Sequence, residues 1–174
     1  DTLVSGEDAE ILVGGADNDL LLGNGGNDNL RGDSGNDTIE GGEGNDTLGG
    51  GAGKDLMIGG KGNDTMNGGA EADTFRFAAA NTGNDRINGF ETALDRFDLT
   101  GGAFSNRVEA GGNTTLTHAG GTIVISGVTG LDLAQWNALA LPSGGIASEM
   151  AAAAAQGGPS AAAAHRRPAP GPGA

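Results

Sequence analysis

The chain has no cysteine and no tyrosine, and only one tryptophan and five phenylalanines among its 174 residues. Without cysteine there is no disulfide framework and no thiolate metal site. With so few aromatics a conventional layered core is hard to build. Basic residues are scarce: nine Lys and Arg stand against 23 Asp and Glu, a formal charge of −14, the wrong sign for a nucleic-acid binder. No apolar run approaches the roughly 20 residues needed to span a bilayer, and no stretch reads as a secretory signal peptide. The patterns HExxH and GxSxG and a cysteine nucleophile are missing, so no catalytic role is expected of this chain. The lack of cysteine suits the cytosol, and equally an exported protein that does without disulfides.

Glycine is abundant, 36 residues with no three-residue period, which excludes collagen but not a turn-rich repeat. The repeat has nine residues. From Gly14 it reads GGADNDLLL, GNGGNDNLR, GDSGNDTIE, GGEGNDTLG, GGAGKDLMI, GGKGNDTMN and GGAEADTFR, ending at Arg76. The sixth position is always aspartate: Asp19, Asp28, Asp37, Asp46, Asp55, Asp64 and Asp73. The eighth is always apolar: Leu21, Leu30, Ile39, Leu48, Met57, Met66 and Phe75. Weaker registers precede these, with Asp1 and Glu10 at the sixth position. The acidity belongs to the repeats, since residues 1–75 hold sixteen acids against Arg31, Lys54 and Lys61. Such a block repels itself unless something positive is bound. The chain begins within a repeat and reads as a piece of a longer protein.

A fixed acid and a fixed apolar residue at a fixed period describe a solenoid that binds metal along its edges. The first six positions are turn chemistry: glycine supplies positive φ, and Asn, common at the fifth position, tolerates the left-handed region. The last three form a minimal strand whose middle residue alone points inward. Two nonapeptides make one coil, so stacked coils bury two ladders of apolar residues, a core too thin to be self-sufficient. Turns on one side come from alternate repeats. A cation between them would meet two aspartates together with backbone carbonyls of Gly14, Gly23, Gly32, Gly35, Gly41, Gly44, Gly50, Gly53, Gly59 and Gly62. Carboxylate and carbonyl oxygens suit calcium, which takes six to eight of them; magnesium demands a stricter octahedron, and zinc prefers the His and Cys that the repeats lack. The pairs Asp19–Asp37, Asp28–Asp46, Asp37–Asp55, Asp46–Asp64 and Asp55–Asp73 make about five calcium sites. Asp1, Glu10 and Asp85 are further candidates.

The motif resembles the nonapeptide of the RTX (repeats-in-toxin) family. The resemblance implies a parallel β-roll, calcium in the turns, and export from a Gram-negative cell through a type I secretion apparatus, hence a secreted, extracellular location. Four positions depart from the family pattern: Asp17 and Glu71 stand at the fourth, glycine position, Asn24 and Asp33 at the second. Glu71 fits that place least well.

After Arg76 the period breaks. Gly83-Asn84-Asp85-Arg86-Ile87 echoes the motif after a three-residue insertion, and Asp95-Arg96-Phe97-Asp98-Leu99 follows as a similar strand. This stretch is similar to the segment that closes the β-roll in serralysin-type secreted proteases. Asp95 and Asp98 read as solvated turn acids. Thr114–Thr117 and Thr122–Ser126 read as antiparallel strands about a Gly120-Gly121 turn, and residues 131–139 as a strand and helix with Trp136 in packing. The two histidines, His118 and His165, have no partner spacing for a metal. From Pro142 the text turns to Ala, Pro and Gly; Ser148 could cap a short helix over 149–156, and the remainder reads as disordered. The expected organisation is an all-β chain: a β-roll over 1–76, a capping and secretion-associated β region over 77–141, and a low-complexity tail over 142–174.

Two functions fit. One is a calcium-triggered folding and export module within a larger secreted protein. The other, suggested by similar repeats in alginate epimerases, is a polysaccharide- or surface-binding module; the shortage of basic residues weighs against an acidic polysaccharide. A monomer is expected.

Overall fold

A computed structural model describes residues 1–78, 83–100 and 103–141. Each repeat supplies a strand because its apolar eighth position alternates with outward neighbours. The repeat strands are β1 (Thr2–Val4), β2 (Ile11–Ala16), β3 (Leu20–Leu22), β4 (Asn29–Ser34), β5 (Thr38–Glu43), β6 (Thr47–Ala52), β7 (Leu56–Lys61), β8 (Thr65–Ala70) and β9 (Thr74–Ala78). Then follow β10 (Gly83–Asn88), β11 (Arg96–Thr100), β12 (Asn106–Ala110), β13 (Asn113–Thr117), β14 (Gly121–Ser126), the helix α1 (Leu133–Ala138) and β15 (Ala140–Leu141). Alternate strands pair, giving one sheet in the order β1-β3-β5-β7-β9-β11-β15 and a second in the order β12-β13-β14-β10-β8-β6-β4-β2. The repeat strands pair parallel with an eighteen-residue offset, as in Leu30↔Leu48 and Leu48↔Met66. The chain is a parallel β-solenoid.

The strands are longer than the three residues expected. Most span six, from the seventh position of one repeat to the third of the next, and two positions face inward: the apolar eighth and the first glycine after it, as in Leu30 with Gly32 and Leu48 with Gly50. Inside stand two apolar ladders, Leu21–Ile39–Met57–Phe75–Phe97 and Leu12–Leu30–Leu48–Met66–Ile87–Ile125, nearly all fully buried. The rings gather at the far end: Phe90 stacks on Phe97 at 4.8 Å, and Phe97 meets Phe104 edge-on at 5.0 Å and Trp136 at 6.1 Å. There β13 and β14 pair antiparallel and β14 joins β10. Helix α1 starts with Asp132 and Gln135 in a reciprocal capping box. Among the described residues no helix is long and apolar enough to cross a membrane. The candidate helix over 149–156 and the low-complexity tail lie outside the described residues.

Positive φ marks the turns. Among the described residues, every non-glycine residue with it, Asp17 (73°), Asn24 (62°), Asp33 (73°) and Glu71 (82°), stands at the second or fourth position. The fifth-position asparagines do not share it, so tolerance of the left-handed region is not why they are there. Asp and Asn bond locally in that region; glutamate has no such compensation. Glu71→Gly is therefore expected to stabilise the calcium-saturated chain by about 0.5–1 kcal/mol, net of the flexibility glycine adds to the unfolded chain. Asp33→Gly should gain less. Urea midpoints of the two variants check this.

Candidate metal centre

The turns hold the sixth-position aspartates in two vertical rows. Asp19, Asp37, Asp55 and Asp73 line one edge and Asp28, Asp46 and Asp64 the other, each 4% exposed or less. One carboxylate oxygen ties coil to coil. The backbone N–H of Asp19 donates to Oδ1 of Asp37 at 2.8 Å, Asp28 to Asp46 at 2.8 Å, Asp37 to Asp55 at 2.9 Å, Asp46 to Asp64 at 2.9 Å and Asp55 to Asp73 at 3.0 Å. The second oxygen, Oδ2, is buried with no hydrogen-bond partner in all seven. A buried polar atom left so costs about 1–3 kcal/mol, more when charged. The repetition of one orphaned oxygen along both edges calls for a ligand.

The first glycine of each loop makes the space beside it. A Cβ on Gly41 would lie 2.3 Å from Oδ2 of Asp46 and 2.6 Å from the carbonyl oxygen of Gly59, in the next loop along the same edge. Gly23 meets Asp28 and Gly41, Gly32 meets Asp37 and Gly50, and Gly50 meets Asp55 and Gly68 in the same way. At Gly14 and Gly59 the loop's own aspartate makes the close approach, at 2.5 Å and 2.3 Å. So a carboxylate oxygen from one loop and a carbonyl oxygen from the next converge where a side chain would be. The fourth-position Gly35, Gly44, Gly53 and Gly62 bring the loops together: a Cβ there would strike the carbonyl of the loop beneath at 1.6–2.1 Å. Among the described residues no three His, Cys, Asp or Glu side chains group as metal ligands. The oxygens that converge in each of these cradles are one carboxylate and one main-chain carbonyl, both hard donors, which fits calcium.

Glu10 stands in the ladder, its N–H donating to Oδ1 of Asp28 at 2.8 Å and its Oε2 buried without a partner. Asp1 is exposed, and its ammonium group reaches Oδ1 of Asp19 at 2.5 Å. Asp85 continues one row, accepting from the N–H of Asp64 at 2.9 Å. The row stops there, because Ile123 pairs in register with Asp85. Asp95 and Asp98, expected to be solvated, are buried at 2% and 4% exposure. Asp98 pairs with Arg76 at 2.5 Å. Asp95 continues the other row, accepting from Asp73 N–H at 3.0 Å, but its Oδ2 is already engaged by the N–H of Glu91 at 2.8 Å. It closes the row with a hydrogen bond. Its Asp-x-apolar spacing to Phe97 was the signal in the sequence.

Burial raises the carboxyl pKa values, to about 6 for Asp55 and Asp85 and about 7 for Asp64 and Asp73; backbone donors oppose the shift, and neighbouring carboxylates add to it at Asp55, Asp64 and Asp73. Asp37 and Asp46 move the same way for the same first cause. A folded-state value above the unfolded 3.8 means that protonation favours the fold. That contribution is fully present below about 3.8 and lost as the pH rises through 6–7. The metal-stripped chain is therefore expected to resist urea better at pH 5 than at pH 8. Calcium competes with the protons, so its affinity should fall as the pH drops through that window. Urea melts with and without calcium at the two pH values check both signs.

The family described as RTX calcium-binding nonapeptide repeat (4 copies) matches residues 4–39, 22–57 and 40–75. Residues 4–75 are RTX repeats. They are calcium-binding repeats of a β-roll, a structural module rather than a catalytic one. Among solved structures, this chain is similar to the extracellular lipase LipA from Serratia marcescens, with 14% identity over 82% of this chain and a TM-score of 0.41. It spans 40% of that lipase's length. It is also similar to the AlgE6R3 subunit from the Azotobacter vinelandii mannuronan C5-epimerase, with 26% identity over 72% of this chain and 75% of that one, and a TM-score of 0.42. No curated protein matches.

Proposed function

We propose that this chain is a calcium-triggered folding module of a larger protein exported by a type I secretion apparatus, unfolded inside the cell and folded outside it. The supporting observation is the row of buried, unpartnered Oδ2 atoms, each set against a glycine and most facing a carbonyl of the next loop. Five sites lie between complete loops, held by Asp19 with Asp37, Asp28 with Asp46, Asp37 with Asp55, Asp46 with Asp64 and Asp55 with Asp73. Glu10 and Asp85 extend the row of Asp28, and Asp1 the row of Asp19. When bound, calcium supplies the positive charge that the sixteen acids of residues 1–75 lack. The chain's own residues position oxygen atoms and exclude side chains from the space between loops. Residues 77–141 close the far end, a need of every solenoid.

The extracellular range sets the test. Extracellular calcium modules have midpoints of about 10⁻⁴–10⁻³ M, far above resting cytosolic levels. Limited proteolysis of the full chain across a calcium series should show residues 1–76 cleaved at micromolar calcium and protected at millimolar calcium. Equal protection throughout would remove the export-linked reading.

A further inference from the structure

The two edges of the roll carry different second ladders, and this difference falls beside the calcium rows. On the edge of Asp28, Asp46, Asp64 and Asp85 the fifth-position side chains bond each loop to the next. The N–H of Asn45 donates to Oδ1 of Asn27 at 2.7 Å, that of Asn63 to Asn45 at 2.7 Å, and that of Asn84 to Asn63 at 2.8 Å. Thr122 Oγ1 then donates to Oδ1 of Asn84 at 2.6 Å. Lys61 and Glu43 add an exposed pair at 2.5 Å across two stacked loops. That ladder runs unbroken from the repeats into the cap.

On the edge of Asp19, Asp37, Asp55 and Asp73 the ladder starts alike. The N–H of Asn36 donates to Oδ1 of Asn18 at 2.7 Å, and that of Lys54 to Asn36 at 2.8 Å. Lys54 is exposed and has no acceptor to offer the next loop. Ala72, at the fifth position of that loop, has none either. Lys54 also sets a positive charge one residue from Asp55. Of the four non-glycine residues with positive φ among the described residues, Asp17, Asp33 and Glu71 lie on this same edge. Their carboxylates attract cations, but Asp33 is paired with Arg31 at 2.6 Å and exposed charges act weakly through water. Loop geometry decides the balance, since each added inter-loop hydrogen bond stabilises the same folded state that binds the ion.

We propose that the two calcium rows are inequivalent: the Asp28–Asp46–Asp64–Asp85 edge, whose loops the continuous ladder holds together in the folded coil, binds more tightly and fills first, and Lys54 is the positioning residue that weakens the other. The inference rests on the calcium reading above. One net hydrogen bond corresponds to about three- to tenfold in affinity, which sets the expected size.

Calorimetric titration of calcium into the metal-stripped full chain tests it, with Lys54→Asn, which restores the acceptor, and Lys54→Met, which removes only the charge. Wild type should show two classes of site. Lys54→Asn should tighten the weaker class by about three- to tenfold and leave the tighter class unchanged, with Lys54→Met gaining clearly less. Asn63→Ala should weaken the tighter class instead. A single class of sites in wild type, or equal gains from the Asn and Met variants, would overturn the inference while leaving calcium binding intact. Absence of any calcium heat would instead strike the functional reading itself.

Discussion

Asp46→Ala is expected to weaken calcium binding more than Asp73→Ala, by on the order of tenfold or more at two sites against one. Asp46 has a complete loop beneath it, that of Asp28, and one above it, that of Asp64; its N–H and Oδ1 bond one to each. Removing its side chain takes a shared ligand from both. Asp73 has a complete loop beneath it, but above it stands Asp95, whose second oxygen is held by Glu91. Each substitution deletes one inter-coil hydrogen bond of nearly equal length, 2.8 Å from Asp28 and 3.0 Å from Asp55. The structural loss is therefore matched, and the difference reports ion sharing. Equal effects in one titration would mean that the loops bind independently.

Gly41→Ala is expected to be as damaging as losing the aspartate, though it removes no ligand. The backbone there is not in the left-handed region, so alanine brings no conformational strain, only a methyl group. That methyl would stand 2.3 Å from Oδ2 of Asp46 and 2.6 Å from the Gly59 carbonyl oxygen, in the space assigned to the ion. Gly49→Ala is the control: nothing lies within 4 Å of its Cβ and its φ is not positive. It should be neutral or raise stability by about 0.4–1 kcal/mol through a stiffer unfolded chain. If both glycine variants bind calcium like wild type, the first glycine is a packing feature and the cradle is not where the ion sits.

The repeat and its aspartates were legible because one period fixes which residue faces which way. Leu30, Ile39 and Leu48 could be placed inside, and Asp28, Asp37 and Asp46 at the turns, from register alone. The strand length was not legible, because the second inward position is a glycine, which carries no apolar signal. The fifth-position asparagines were visible at Asn18, Asn27, Asn36, Asn45 and Asn63 but misassigned: their side chains hold stacked backbone, and the left-handed region belongs to the second and fourth positions. Asp95 was missed because a longer insertion separates it from Asp73, and no Gly-Asn precedes it. Ile123 could not have been read as the end of a row, since only strand pairing sets it opposite Asp85.

Whole-domain stability is about 5–15 kcal/mol, so a few buried carboxylate oxygens without partners, at about 1–3 kcal/mol each or more, suffice to cancel it. The far-ultraviolet circular dichroism of the metal-stripped chain at pH 7.5, recorded before and after calcium is raised to about 5 mM, above the range of extracellular modules, tests this directly. The expected result is a largely unfolded spectrum that becomes strand-rich on calcium addition and reverts on chelation. A strand-rich spectrum that neither calcium nor chelator changes would contradict it.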